Sequence, residues 1–211
     1  MQESYRTVAQ AGEDEFVEKR SRFIGYIQPV VTEAEAQAVI AARKKRFWDA
    51  RHNVWAYVLR ADNLRRYSDD GEPQGTAGMP VLDVLQKEGL TDCVVVVTRY
   101  FGGILLGGGG LVRAYSHTAR LAVDAGGRCE MRPCAELRVT CDYAQYGWVA
   151  PLIAAAGGTV DDTAFADAVT LRFHLPLDAV GGLEARLTEQ SAGRLAMRQE
   201  NVAFYPFASE G

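Results

Sequence analysis

The chain lacks an apolar run approaching the ~20 residues that a membrane-spanning helix needs. Its start, Met1 to Glu18, is polar and acidic, which is the opposite of a secretory leader. Cysteine is sparse. Cys93, Cys129, Cys134 and Cys141 stand at irregular spacing with no CxxC pair, which excludes a disulfide-dominated scaffold. Reduced thiols in the cytoplasm are the expectation. Histidine is sparser still, with His52, His117 and His174 only. No HExxH or GxSxG stretch occurs. Ser116 and His117 are adjacent, and neighbours on a helix do not face each other.

What is present is ordinary globular composition. The 211 residues are 48% hydrophobic and 24% charged, enough for one or two cores. Net charge is −4, unevenly placed. Residues 1–134 hold 18 basic and 17 acidic side chains, whereas residues 135–211 hold 5 and 10. Two units are expected, over residues 1–132 and 135–207. Between Arg43 and Arg66 lie eight basic residues opposed only by Asp49 and Asp62. A local excess of that size attracts anionic partners.

Hydrophobic patterning gives the elements. Thr32 is placed to cap a helix over Glu33–Trp48 with Ala36, Ile40 and Phe47 on one face. Asn53–Arg60 alternates as a strand, with Leu64–Tyr67 as its hairpin partner. Ser68–Gly78 reads as irregular, and Pro80 suits the first turn of a helix ending near Gly89. Cys93–Val97 is an unbroken valine-rich run, as in a strand buried on both faces. Leu111–Ala125 reads as a helix with Leu111, Ala114, Tyr115, Thr118, Ala119 and Ala122 buried. Beyond Ala135 the pattern is strand (136–142), helix (145–156), two strands (159–165 and 169–175), helix (178–190) and strand (194–205). That βαββαβ order is ferredoxin-like. His174 alternates with Phe173 and Leu175, which places it on the solvent face of its strand.

Three stretches carry candidate chemistry. The first is the glycine cluster Gly102, Gly103, Gly107, Gly108, Gly109 and Gly110, between a strand and a helix. Free backbone N–H groups at such a turn hold phosphate or another anion. Gly102 and Gly107 have P-loop spacing, but Gly108-Gly109 stand where Lys and Ser/Thr are required, so nucleotide hydrolysis is not expected. The alternative reading is close backbone packing and positive φ. The second is the acidic loop with Asp69, Asp70 and Glu72. Its spacing matches no calcium loop, and no metal is expected. A protein-contact loop, or a brace for Arg99 or Arg51, is the preferred reading. The third is Arg43, Lys44, Lys45 and Arg46, extended by Arg51 and interleaved with Trp48, Trp55, Tyr57 and Tyr67. Cations in a last helical turn also simply complement its dipole, yet cations among aromatics suit nucleic acid. His52 is the best acid–base candidate.

Taken together, four stretches resemble one family: SRFIG from Ser21, RHN from Arg51, YSDDGEPQGTAG from Tyr67, and VTRYFGGILLG through GLVRAY between Val97 and Tyr115. They are similar to those of the YigZ/IMPACT family in its two-domain bacterial form. The resemblance implies an α+β chain. Its Impact-type N-terminal domain would be like the second domain of ribosomal protein S five. Its C-terminal domain would be ferredoxin-like, similar to the last domain of elongation factor G. Eukaryotic members regulate translation by binding the activator of an amino-acid-starvation kinase. Bacterial members are described as nucleic-acid- or ribosome-associated, with no agreed catalytic set.

The leading expectation is therefore a non-enzymatic, cytoplasmic, translation-associated protein that needs no cofactor. It would bind RNA, the ribosome or a translation factor through Arg43, Lys44, Lys45, Arg46, Arg51, Arg99, Arg113 and the glycine loop. A second reading is a regulator whose loop (His52, Asp69, Asp70, Glu72) and acidic C-terminal domain meet a basic protein. A third is an enzyme holding a phosphorylated ligand on the glycine loop.

Overall fold

Two sequence devices start the N-terminal unit: a tight hairpin and a capped helix. The computed structural model describes residues 3–208. Strand β1 (Tyr5–Val8) is followed by β2 (Gly12–Glu18) and β3 (Ser21–Pro29), which pair antiparallel through the turn Lys19-Arg20. Both turn residues have positive φ, 46° and 65°, the twist that a two-residue hairpin prefers. Thr32 then caps α1 (Glu33–Arg46). Its Oγ accepts from Glu35 N while the Glu35 carboxylate accepts from Thr32 N. The helix stops at Arg46, two residues short of the sequence reading, with Phe47 as its C-cap.

The remaining elements of this unit are β4 (His52–Leu59), β5 (Leu64–Ser68), α2 (Gly78–Lys87), β6 (Cys93–Tyr100) and α3 (Gly108–Gly126). The sheet runs β2-β3-β6-β4-β5 with every neighbour antiparallel. β6 is central and buried on both faces. Val94 and Val96 join Val30, Ala36, Ile40, Tyr57 and Leu59 in one core cluster. Cys93, Val95 and Val97 join Phe23, Ile27, Val81, Leu85 and Ala119 in the other. An unbroken apolar run is thus required here even though the sheet is antiparallel. All six expected α3 residues are buried. Gly25 lets α3 lie close to β3, since a Cβ there would sit 2.6 Å from the Thr118 carbonyl oxygen.

One boundary differs in a way that matters for the site. α3 begins at Gly108, so Gly108, Gly109 and Gly110 form its first turn rather than a loop before it. Glycine is a poor helix former, and propensity alone starts the helix at Leu111. The helix extends backward because Leu111 N reaches the Gly107 carbonyl.

The second unit comprises Met131–Pro206; the first comprises Tyr5–Glu130. The second holds most of β7 (Arg128–Cys141), α4 (Tyr143–Ala155), β8 (Thr159–Phe165), β9 (Val169–Pro176), α5 (Val180–Gln190) and most of β10 (Met197–Ala208). Its strands lie in the order β10-β7-β9-β8, with β9 antiparallel to both neighbours. That is the ferredoxin-like arrangement, in an α+β chain. Asp142 and Gln145 form a capping box, so α4 starts two residues before the sequence reading. Leu137, Val139, Val149, Ile153, Leu171, Phe173 and Leu187 make its core. His174 lies opposite Phe173 but is not open to solvent as expected: its side chain is 13% exposed, with Tyr205 stacked on it at 3.7 Å and Asp161 bonded to Nδ1 at 2.8 Å.

Candidate functional site

The acidic loop between β5 and α2 organises the site. Asp69 accepts from Gly75 N at 2.9 Å, Ala77 N at 3.1 Å and Gly78 N at 2.8 Å, so it ties the loop to the start of α2. Asp70 accepts from Asn53 N and from Lys44 Nζ, both at 2.6 Å. Glu72 is buried, and its Oε1 accepts from Arg99 Nη1 at 2.6 Å and Tyr115 OH at 2.8 Å. The three carboxylates face inward. Of the two readings expected for this loop, the geometry matches the brace, and Arg99 is what Glu72 braces.

His52 opens β4 beside this loop. Its Nδ1 lies 2.8 Å from the Asp70 carbonyl oxygen. A carbonyl only accepts, so Nδ1 carries a proton and a neutral ring has a bare Nε2. Gly71, at φ 87°, brings the loop against the imidazole, where a Cβ would lie 3.4 Å from Nδ1. Nε2 is 3.8 Å from Glu72 Oε1, beyond hydrogen-bond reach. A cleft of about 370 Å³ opens here, between the acidic loop and the residues leading into α3. Arg51, His52, Glu72 and Arg99 supply its polar wall; Phe101, Leu105, Leu106 and Leu111 supply the apolar one.

The glycine residues divide into two roles. A Cβ at Gly102 would overlap the Arg20 carbonyl, so this glycine serves close packing. Its N–H donates to Ser21 Oγ at 3.2 Å. Gly103 and Gly107 adopt φ of 83° and 72°. Gly107 is the N-cap of α3 with no side-chain capping bond. The first-turn N–H groups of Gly108, Gly109 and Gly110 therefore have no helical acceptor.

The basic residues separate likewise. Arg43 is buried, ion-paired to Glu13 at 2.5 Å and stacked on Tyr26 and Phe47. Burial pulls its pKa down. Arg99 is buried with Glu72. Arg43 is thus turned away from its expected binding face, whereas Arg99 lines only the cleft beside His52. A cation stacked on aromatic rings packs as well as it solvates. Lys44 is held by Asp70. Lys45, Arg46, Arg51 and Arg113 are exposed.

Sequence reasoning passes over Tyr115 as a site residue, placing it only in the buried stripe. Burial and the Glu72 carboxylate push its phenol far above the ordinary tyrosine range. A tyrosine among Ala, Thr and Leu needs a partner for its hydroxyl, and that is the available signal. Asn53 is also missed; its Oδ1 accepts from Thr98 Oγ1 at 2.7 Å. All four cysteines are unpaired and buried, and burial pushes the Cys93 thiol up to about 12, so it is not a nucleophile at neutral pH. Among the described residues no cluster of His, Cys, Asp and Glu could hold a metal ion, and no helix is long and apolar enough to cross a membrane.

Every motif at this site falls in the segment 19–123, which matches the Impact N-terminal domain model; residues 139–194 match a domain of unknown function, DUF1949. IMPACT family member YvyE of Bacillus subtilis is 36% identical over 205 residues, covering 97% of this chain and 94% of that protein. The chain belongs to the IMPACT family. IMPACT family member YigZ of Escherichia coli is 35% identical, covering 85% of this chain and 89% of its own length. The IMPACT homolog of Dictyostelium discoideum is 37% identical over 112 residues, 51% of this chain but 31% of that longer protein. A crystal structure of a hypothetical protein superposes with TM-score 0.61 at 33% identity, over 95% of this chain and 99% of that one.

Proposed function

We propose that this IMPACT family member is a non-enzymatic, translation-associated protein that binds RNA, on the ribosome or a translation factor, through the connection between α1 and β4. One observation carries the reading. Trp48 is 82% exposed in a segment where Lys45, Arg46 and Arg51 are also exposed. An indole open to solvent among cations is a stacking platform with electrostatic attraction built in. Packing does not account for Trp48, whereas it does account for Tyr57 and Arg43. The cleft walls carry no serine, threonine or cysteine, so no hydroxyl or thiol nucleophile lines them. The alternative of a basic protein docking on the acidic loop is weaker, because Asp69, Asp70 and Glu72 already have partners.

The test is co-sedimentation with ribosomal subunits at low and near-physiological salt, with an RNase-treated control. Retention on one subunit that RNase abolishes is the expected result. Lys45→Glu with Arg46→Glu should flatten the log–log salt dependence by about 0.7 for each phosphate that is no longer neutralised. Trp48→Ala should weaken binding by about 1–3 kcal/mol if a base stacks there. Unchanged affinity in both variants would remove this surface from the account.

A further inference from the structure

We infer that the cleft between the acidic loop and the start of α3 is a binding site for a phosphoryl group carried on an apolar or planar body. The inference goes beyond the RNA-binding reading, which rests on Trp48 and its neighbours.

Two buried polar side chains in the cleft wall are incompletely partnered. His52 is 8% exposed, its Nδ1 is fixed by the Asp70 carbonyl, and its Nε2 has no hydrogen bond among the described residues. Arg99 is 5% exposed, and its Nε has no partner although Nη1 and Nη2 do. Buried polar atoms are nearly always satisfied, so the buried, unpartnered Nε–H of Arg99 points to an absent acceptor, and His52 Nε2 beside it becomes a second donor when the ring is protonated. The α3 terminus adds to them. Gly107 and Gly108 line the same cleft, Gly107 gives no side-chain cap, and the first-turn N–H groups are free donors at the positive end of a 19-residue helix.

The charges agree with an anion. Asp70 is neutralised by Lys44, and Glu72 by Arg99. Arg51, at the mouth, has no carboxylate partner among the described residues, and the cleft therefore carries a net positive charge. An anion at Nε2 needs that nitrogen to donate, so the ring would hold it as the imidazolium, both nitrogens donating. Phe101, Leu105, Leu106 and Leu111 cover the other wall, and Leu105 is 82% exposed. That wall suits a ring or an apolar chain. About 370 Å³ is the size of a small-molecule site.

The phosphoryl group can come from a free phosphate ester or from a terminal phosphate of RNA, and competition separates the two. The probe is phenyl phosphate, read by calorimetry and thermal shift on the full chain, with inorganic phosphate and phenol as fragments. One-to-one saturable binding is expected, tighter than for either fragment. Arg51→Ala and His52→Asn should each weaken it about tenfold, the loss of one charge-assisted hydrogen bond. Asn keeps a donor for the Asp70 carbonyl and lacks only Nε2, so it preserves the loop. Gly108→Pro removes one first-turn N–H at a position where proline suits a helix, and should weaken binding as well. Competition by a 5′-phosphorylated oligoribonucleotide assigns the group to RNA; its absence assigns it to a small ester. No saturable binding of phenyl phosphate, or binding unchanged in all three folded variants, would overturn the inference. Trp48→Ala should leave phenyl phosphate binding intact, so failure here is distinct from failure of the RNA-binding reading.

Discussion

The Glu72–Arg99 pair makes the sharpest energetic prediction. Its side chains are 4% and 6% exposed, and their closest atoms are 2.6 Å apart. Glu72→Ala leaves the Arg99 guanidinium buried without its carboxylate and strips the Tyr115 hydroxyl of its acceptor. An uncompensated buried charge costs about 3–5 kcal/mol. The orphaned phenol adds about 1 kcal/mol. Arg99→Ala leaves the carboxylate with Tyr115 alone and should cost a similar amount. The double variant removes both charges, so the two costs should not add. A double-mutant cycle by urea denaturation should return a coupling of about 2–3 kcal/mol. A Glu72→Ala penalty below about 1 kcal/mol, or costs that add within the error of about 0.5 kcal/mol expected for independent sites, would refute the claim that this pair holds the cleft together.

Three further outcomes follow from the same geometry. Tyr115 has its pKa raised in the folded state, so the folded chain keeps that proton after the unfolded chain has lost it. Its contribution is complete below the ordinary value of 10.0 and declines as pH rises through the folded-state value. Tyr115→Phe should therefore be less stable than the parent at pH 7 by about 1 kcal/mol, the worth of one hydrogen bond. The parent's stability should fall as the unfolded chain ionises above pH 10, and Tyr115→Phe should lose stability less steeply there in alkaline denaturation scans; an unchanged alkaline slope would contradict this. Asp69→Ala, which frees three backbone donors at the entry to α2, should cost about 1–2 kcal/mol by urea denaturation, and Asp69→Asn less. The two glycine roles should separate cleanly. Gly102→Ala collides with the Arg20 backbone and should abolish stable folding. Gly108→Ala meets only Thr76 Cγ2 at 3.8 Å and should be neutral or stabilising by up to about 1 kcal/mol, as circular dichroism melts would show.

The local code is strong wherever one physical rule acts alone. Thr32 and Glu35 form the capping box that stops the chain from continuing as a strand. The valine run of β6 and the stripe of α3 are readable because burial on two faces, or on one helical face, leaves a periodic trace. The βαββαβ order of the second unit and the family motifs are likewise present in the residues. Tertiary structure decides what each charge faces. Nothing local distinguishes Arg43, turned under Glu13, from Arg46 three residues on, because burial depends on the position of β2. Nothing local joins Glu72, Arg99 and Tyr115, which are far apart in sequence and meet only once β6 and α3 are packed. The first turn of α3 is glycine against propensity, and only the folded chain supplies the cleft that faces it. Periodicity records which side of an element is buried; the identity of the buried partner is a property of the whole fold.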